Sequence, residues 1–207
     1  MDSGNTFGYD KLRNTDIYLI DQILKRRYTA GERILDAGAG GGRNLAWFLA
    51  HEKEVYAVDQ NPESQYQILE NYSGKSVKFT QAGLDELPYE TDFFDHIICN
   101  AVLHFAEGEE HFYKMFNELH RVCKLGGSVF IRTCTSIGLE DDIGESGDGV
   151  FQLPDGSHRF LLSRSHLNKL LASQGFKLLE PVKWLNVQDL RVMMTLVLEK
   201  TANGKIF

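Results

Sequence analysis

Ile34-Leu35-Asp36-Ala37-Gly38-Ala39-Gly40-Gly41-Gly42-Arg43-Asn44 is the stretch that decides the fold of this 207-residue chain. Arg33 to Asp36 reads as a short strand that runs directly into a glycine-rich turn. Glycine lets backbone adopt positive φ and come close to a ligand, and a helix starting at Asn44 offers free N–H groups. Alone, such a turn is weak evidence. Two details narrow the ligand. The dinucleotide fingerprint G-x-G-x-x-G asks for a third glycine where Arg43 stands. Asp36 stands just ahead of the turn, where a diphosphate meets an unscreened like charge and a cation meets an attractive one.

Strands and helices alternate on either side of this turn. Glu54 to Asp59 reads as a second strand. Its terminal carboxylate stands where such folds hold ribose hydroxyls, although Asp59-Gln60-Asn61-Pro62 is also good turn chemistry. Asn61-Pro62-Glu63 starts a helix, with a capping residue followed by proline at the first helical position. Val77 to Thr80 and His96 to Cys99 read as strands, and Phe112, Met115, Leu119 and Val122 form one helical stripe. Gly126-Gly127 precedes a strand at Ser128 to Arg132. Ser165 to Ser173 reads as a helix closed by Gly175, with strands at Phe176 to Leu179 and Arg191 to Glu199. Ahead of the first strand, residues 15–26 carry Ile17, Ile20 and Leu24 at helical spacing, with Asn14 or Thr15 as cap.

The alternation predicts an α/β fold with a doubly wound, mostly parallel, seven-stranded sheet. The last two strands have no helix between them and form an antiparallel edge pair. The expected organisation is one domain over 1–207, with an N-terminal helical cap at 1–30 and an insertion at 135–162.

Composition bounds the function. Hydrophobic residues make up 43% and charged residues 25%, and the formal net charge is −7. Duplex binding needs clustered Lys and Arg, whereas the clearest charge cluster, Glu140 to Glu145, is acidic. A small-molecule partner is expected, with no nucleic acid and no membrane. Met1 to Asn5 has neither a basic start nor an apolar run, so the expected location is cytoplasmic. The three cysteines, Cys99, Cys123 and Cys134, are odd in number and scattered, and they read as inert core residues rather than metal ligands.

With these residues in view, the chain resembles the class I S-adenosylmethionine-dependent methyltransferases. Asp36, Gly38, Gly40 and Gly42 match the family's D/E-x-G-x-G-x-G motif, and Asp59 matches its ribose-binding acid. Gln81 to Asp95, Asn100-Ala101-Val102-Leu103-His104, Leu125-Gly126-Gly127 and Gln174-Gly175-Phe176 are similar to the later family segments, in order, over about residues 30–200. Gly42-Arg43-Asn44 and the closing strand further resemble the tellurite-resistance methyltransferases. The resemblance implies a Rossmann-like methyltransferase fold and S-adenosylmethionine as cofactor. It implies cofactor contacts from Gln60 and Asn100, packing of Leu84 on the adenine, and closure by the N-terminal aromatic Tyr9. The family often binds the adenine amino group with an aspartate where Gly83 stands here, so Asp85 is the expected substitute.

Methyl transfer from a sulfonium is an in-line displacement onto a small-molecule acceptor, and positioning supplies much of its acceleration. No metal is required. A general base helps only when the acceptor must lose a proton. His104, just past the fourth strand, is one candidate, with a capping or packing histidine as the alternative. His158 is the other, in the segment that the resemblance assigns to the acceptor pocket; its alternative is a polar hairpin turn. Arg159 beside it is a candidate for an acidic acceptor, with a solvated surface arginine as the alternative. Gly138 to Gly149 reads as a lid or a solvated loop. The rival readings are a non-catalytic S-adenosylmethionine-binding sensor or partner subunit and, opposed by Asp36 and Arg43, an NAD-dependent oxidoreductase.

Overall fold

In an all-parallel sheet covered by helices, neighbouring strand residues point to opposite faces and both must be apolar. That pattern organises the computed structural model, which describes residues 9–29, 31–51, 53–139, 143 and 148–202. Strands β1 (Arg33–Ala37), β2 (Glu54–Asp59), β3 (Val77–Gln81), β4 (Phe94–Asn100) and β5 (Cys123–Thr135) run parallel in the order β3-β2-β1-β4-β5. Leu35, Ile97, Val129 and Ile131 pack on one face, and Ile34, Val55, Ile98 and Phe130 on the other.

Helix α5 (Glu109–Val122) covers the first face. Glu109 and Glu110 in its first turn and His120 and Arg121 in its last suit the helix dipole. The expected stripe is buried, with Phe116 added. Each such side chain contributes ~1.5–3 kcal/mol on burial. The second face is covered by α2 (Ile17–Leu24), α3 (Ala46–Ala50) and α4 (Glu63–Asn71), through Leu19, Ile23, Phe48 and Ile68.

Three expectations need correction here. On α2 the buried residues are Leu19, Gln22 and Ile23, while Ile17 and Leu24 are exposed. The helix, Ile-Tyr-Leu-Ile-Asp-Gln-Ile-Leu, is apolar on several sides, so spacing alone does not select its inner face. Its cap is Asp16, whose side chain accepts the Tyr18 N–H at 2.9 Å, and not Asn14 or Thr15. The helix after the glycine turn, α3, also starts later than the expected Asn44, because residues 40–45 remain in turns.

The other end of the sheet is antiparallel, as expected. Short helix α1 (Tyr9–Leu12) precedes α2, and α6 (Arg164–Ala172), capped by Ser163, precedes β8 (Phe176–Leu178). Strand β10 (Arg191–Lys200) lies between β5 and β8, antiparallel to both. An eighth strand, β9 (Lys183–Val187), also pairs with β10. It shares the β8 edge, so seven strand positions hold eight strands. Trp184 and Leu185 are exposed, which removes the one-sided burial that would mark β9 in the sequence.

Within 135–162, β6 (Val150–Gln152) and β7 (His158–Phe160) form an antiparallel hairpin. Leu162 N–H donates to Cys134 O at 3.1 Å and ties the hairpin to the end of β5. Of the Gly138 to Gly149 segment, residues 140–142 and 144–147 lie outside the described residues, as do 1–8 of the expected cap. Among the described residues no helix is long and apolar enough to cross a membrane.

Candidate active site

The glycine turn is fixed by its neighbours. Gly38 and Ala39 N–H both donate to Val58 O, at 2.8 and 3.0 Å, which pins the turn to the end of β2. Gly38 has φ +77°, and a Cβ there would lie 2.4 Å from Val102 Cγ2. Both facts demand glycine. Asp59 Oδ2 accepts the Gly40 N–H at 2.7 Å and Oδ1 accepts the Asn61 N–H at 2.9 Å. The turn chemistry read at Asp59 is therefore present, and the same carboxylate faces an open crevice.

That crevice has a volume of about 560 Å3, within the range of small-molecule sites, and Gly38, Asp59, Gln60, Leu84 and Asp85 line it. Leu84 is buried and belongs to the core beneath. A Cβ on Gly83 would meet Asp85 Oδ1 at 2.5 Å. The Asp85 carboxylate thus occupies the space in which an aspartate at position 83 would begin, which is the geometry a substitute acid needs.

Asp36 is the next-to-last residue of β1, 1% exposed, and its Oδ2 has no hydrogen-bond partner. Burial, reinforced by Asp59 and opposed by Arg43, raises its carboxyl to about 7. A buried carboxylate without a partner is costly unless a cation or donor reaches it. Asn100 ends β4 beside it, 6% exposed, and neither of its amide atoms has a partner. Ala101 follows at φ +64°, a left-handed conformation that costs a non-glycine residue ~1–2 kcal/mol and clusters at functional sites.

Ala101 and Phe105 also wall a second cavity, of about 410 Å3. Arg43, Arg132, Arg159 and Arg191 line it together with Asn100 and His104. His104 is buried, and its Nδ1 accepts the Cys134 N–H at 3.4 Å, which leaves the ring proton on Nε2. Burial first, then Arg159 and Arg191, lowers its pKa to about 4, so the ring is neutral at pH 7. Cys134 also lines this cavity, and its thiol is pushed up to about 11, again mainly by burial.

The structure brings Gly38, Asp59, Gln60, Leu84 and Asp85 together at the first cavity and Asn100 and His104 at the second. Gly40 and Gly42 shape the turn between β1 and α3. His158 lies exposed at the start of β7 and lines neither cavity. Tyr9 opens α1, but its side chain lies outside the described residues. Sequence reasoning missed Arg132 and Arg191. The one available signal was an arginine interrupting the apolar run Val129-Phe130-Ile131-Arg132.

Comparison with known proteins points to methyltransferases. A family model described as a methyltransferase domain matches residues 35–131. A ubiquinone/menaquinone biosynthesis C-methyltransferase of Coxiella burnetii is 28% identical over 116 residues, 53% of this chain and 45% of that protein. The chain thus spans less than half the length of that curated relative. A Burkholderia thailandensis 1,6-didemethyltoxoflavin-N1-methyltransferase, solved with 1,6-didemethyltoxoflavin and S-adenosylhomocysteine, superposes with a TM-score of 0.65 at 21% identity, covering 89% of this chain and 76% of its own. The [4+2]-cyclase SpnF superposes with a TM-score of 0.64 at 16% identity, covering 90% and 81%. These structural likenesses concern the fold.

Proposed function

We propose that the chain is a class I S-adenosylmethionine-dependent methyltransferase, which transfers a methyl group from that cofactor to a small-molecule acceptor; the methyltransferase-domain match over residues 35–131 supports this reading. The observation that carries this reading is the buried Asp36, whose Oδ2 has no hydrogen-bond partner, just ahead of a glycine turn whose neighbouring crevice is lined by Asp59 and Asp85. Acids at these places suit a ligand bearing an ammonium and a sulfonium, and they oppose a diphosphate.

In this reading Asp59 and Gln60 hold the ribose hydroxyls, Leu84 packs on the adenine and Asp85 takes its amino group. The glycine turn and Asp36 serve the cationic end. When bound, S-adenosylmethionine supplies a methyl carbon on a cationic sulfur, which an acceptor lone pair attacks in line while the C–S electron pair stays on sulfur. The protein's share is then positioning. Ala101 holds the end of β4 between the two cavities. His104, neutral and with Nδ1 engaged, offers a donor at Nε2, an arrangement that favours orienting the acceptor over removing its proton. His158, exposed on β7, gains no support as a base.

The rival reading, binding without methyl transfer, is worth testing because one fold hosts many reactions. Thermal unfolding with S-adenosylmethionine, S-adenosylhomocysteine or NAD tests the cofactor: the first two should raise the midpoint and NAD should not. Transfer of radiolabelled methyl into a metabolite extract separates enzyme from sensor. Label confined to the cofactor pool would overturn the enzyme reading.

A further inference from the structure

The second cavity gathers positive charge from four separate parts of the chain. Arg43 follows the glycine turn, Arg132 lies in β5, Arg159 in β7, and Arg191 begins β10. Arg132 is paired with Asp16 and lies 4.9 Å from the centre of the Tyr18 ring. Arg191 stands 3.5 Å from the Asp155 carboxylate. The Arg159 guanidinium lies 4.5 Å from the Phe105 ring centre, and its Nη1 donates to His158 O at 2.7 Å. Among the described residues, neither Arg43 nor Arg159 has a carboxylate within ion-pair distance. Guanidinium groups gathered with so few counter-charges repel one another, and an anion relieves that repulsion.

Two further observations point to a ligand at the same place. Asn100 is buried and lines the cavity with both amide atoms unpaired, and the buried Arg132 Nε also lacks a partner. Buried polar groups are ordinarily hydrogen-bonded, so three unpaired atoms around one cavity mark a place where partners are supplied from outside. Phe105, Val187 and Met193 make the remaining wall apolar.

We infer that this cavity holds the methyl acceptor as an organic anion, with its carboxylate or phosphate on Arg159, Arg191 and the Asn100 amide and its apolar body against Phe105 and Met193. The inference rests on the methyl-transfer reading and deepens it. Planar guanidinium forks match the paired oxygens of carboxylate and phosphate, and the Asn100 amide adds a donor. Because Ala101 and Phe105 wall both cavities, an acceptor seated here lies beside the cofactor crevice. The volume of about 410 Å3 and the net charge of −7 favour a small anion over a polymeric one.

The test loads the protein with S-adenosylhomocysteine and offers benzoate, phenyl phosphate and the neutral isostere benzamide at low ionic strength. Saturation-transfer NMR reports which probe binds. The expected result is transfer to at least one anion and none to benzamide, with the preferred anion identifying carboxylate or phosphate. Arg159→Gln and Arg191→Gln should each weaken that anion at least tenfold, and Arg159→Lys should restore part of the loss. Calorimetry on the same samples should give wild-type affinity for S-adenosylhomocysteine. Equal transfer to benzamide, transfer to neither anion, or anion binding indifferent to both glutamine variants overturns the inference while the methyltransferase reading stands. A wild-type protein that does not bind S-adenosylhomocysteine overturns both.

Discussion

The two cavities beyond β4 share Ala101 and Phe105 but are built differently. Acids at or beyond the ends of successive parallel strands, Asp59, Asp85 and Glu107, line the first, together with His111 and Lys114 of α5. The second is lined by four arginines that only the folded sheet and the β6–β7 hairpin bring together. A cofactor crevice can be written in local motifs, because the parallel sheet delivers the end of each strand to the same rim. The neighbouring cavity takes its residues from wherever the fold supplies them. The reading of each half can be tested by altering it alone.

The largest effect is expected at Asp59. Its carboxylate serves the crevice and also fastens Gly40 and Asn61. Asp59→Ala should weaken S-adenosylhomocysteine binding by at least 100-fold, about 2.7 kcal/mol. Titration calorimetry giving wild-type affinity would remove Asp59 from the cofactor half.

Asp36 should separate stability from function. The fold favours its protonated form, so its contribution to stability is fully present below the ordinary carboxyl value of 3.8 and is lost as pH rises to about 7. Asp36→Asn removes that loss. The variant should melt above the ligand-free wild type at pH 8, the advantage should vanish by pH 4, and cofactor affinity should fall at least tenfold. A wild-type cofactor affinity in this variant would break the electrostatic account of the first cavity.

A smaller effect is expected from His104→Gln, which keeps a donor but cannot act as an imidazole base. Turnover on the true acceptor should fall less than tenfold, and a loss of about a thousandfold would restore the base role. His104 is held neutral in the fold, so its contribution to stability is present above about 6.5 and is lost as pH falls to about 4. Acid unfolding of the glutamine variant should therefore be less steep in that window.

The smallest effect concerns the shared wall. Ala101→Gly relieves the φ +64° conformation and should stabilise the protein by up to ~1 kcal/mol in denaturant titrations. A clear destabilisation would show that the Ala101 methyl, not its backbone, matters there.

The parallel half of the fold was legible because both-sided burial leaves short apolar runs, Ile34-Leu35 in β1 and Ile97-Ile98-Cys99 in β4, each followed by the acid or amide that serves the site. The α2 face was not, because Leu19 and Ile23 compete with Ile17 and Leu24 on a helix that is apolar nearly all round. Strand β9 was missed because three of its five residues are exposed and no alternation marks it. At the site, Asp36, Gly38 and Asp59 stand in local motifs. Arg132 and Arg191 meet only through the antiparallel pairing of β5 with β10, where Arg132 faces Thr195 and Val192 faces Thr135. Long-range register of that kind leaves no short-range signature.

The central claim is that a buried carboxylate waits for a cation at the mouth of β1. Calorimetric titration of the ligand-free protein with S-adenosylhomocysteine at pH 7, in two buffers of different ionisation enthalpy, tests it directly. The account predicts saturable binding with net release of protons as Asp36 ionises against the ligand ammonium, no release in Asp36→Asn, and no heat from NAD. Binding of NAD in place of S-adenosylhomocysteine, or proton uptake on binding, would contradict it.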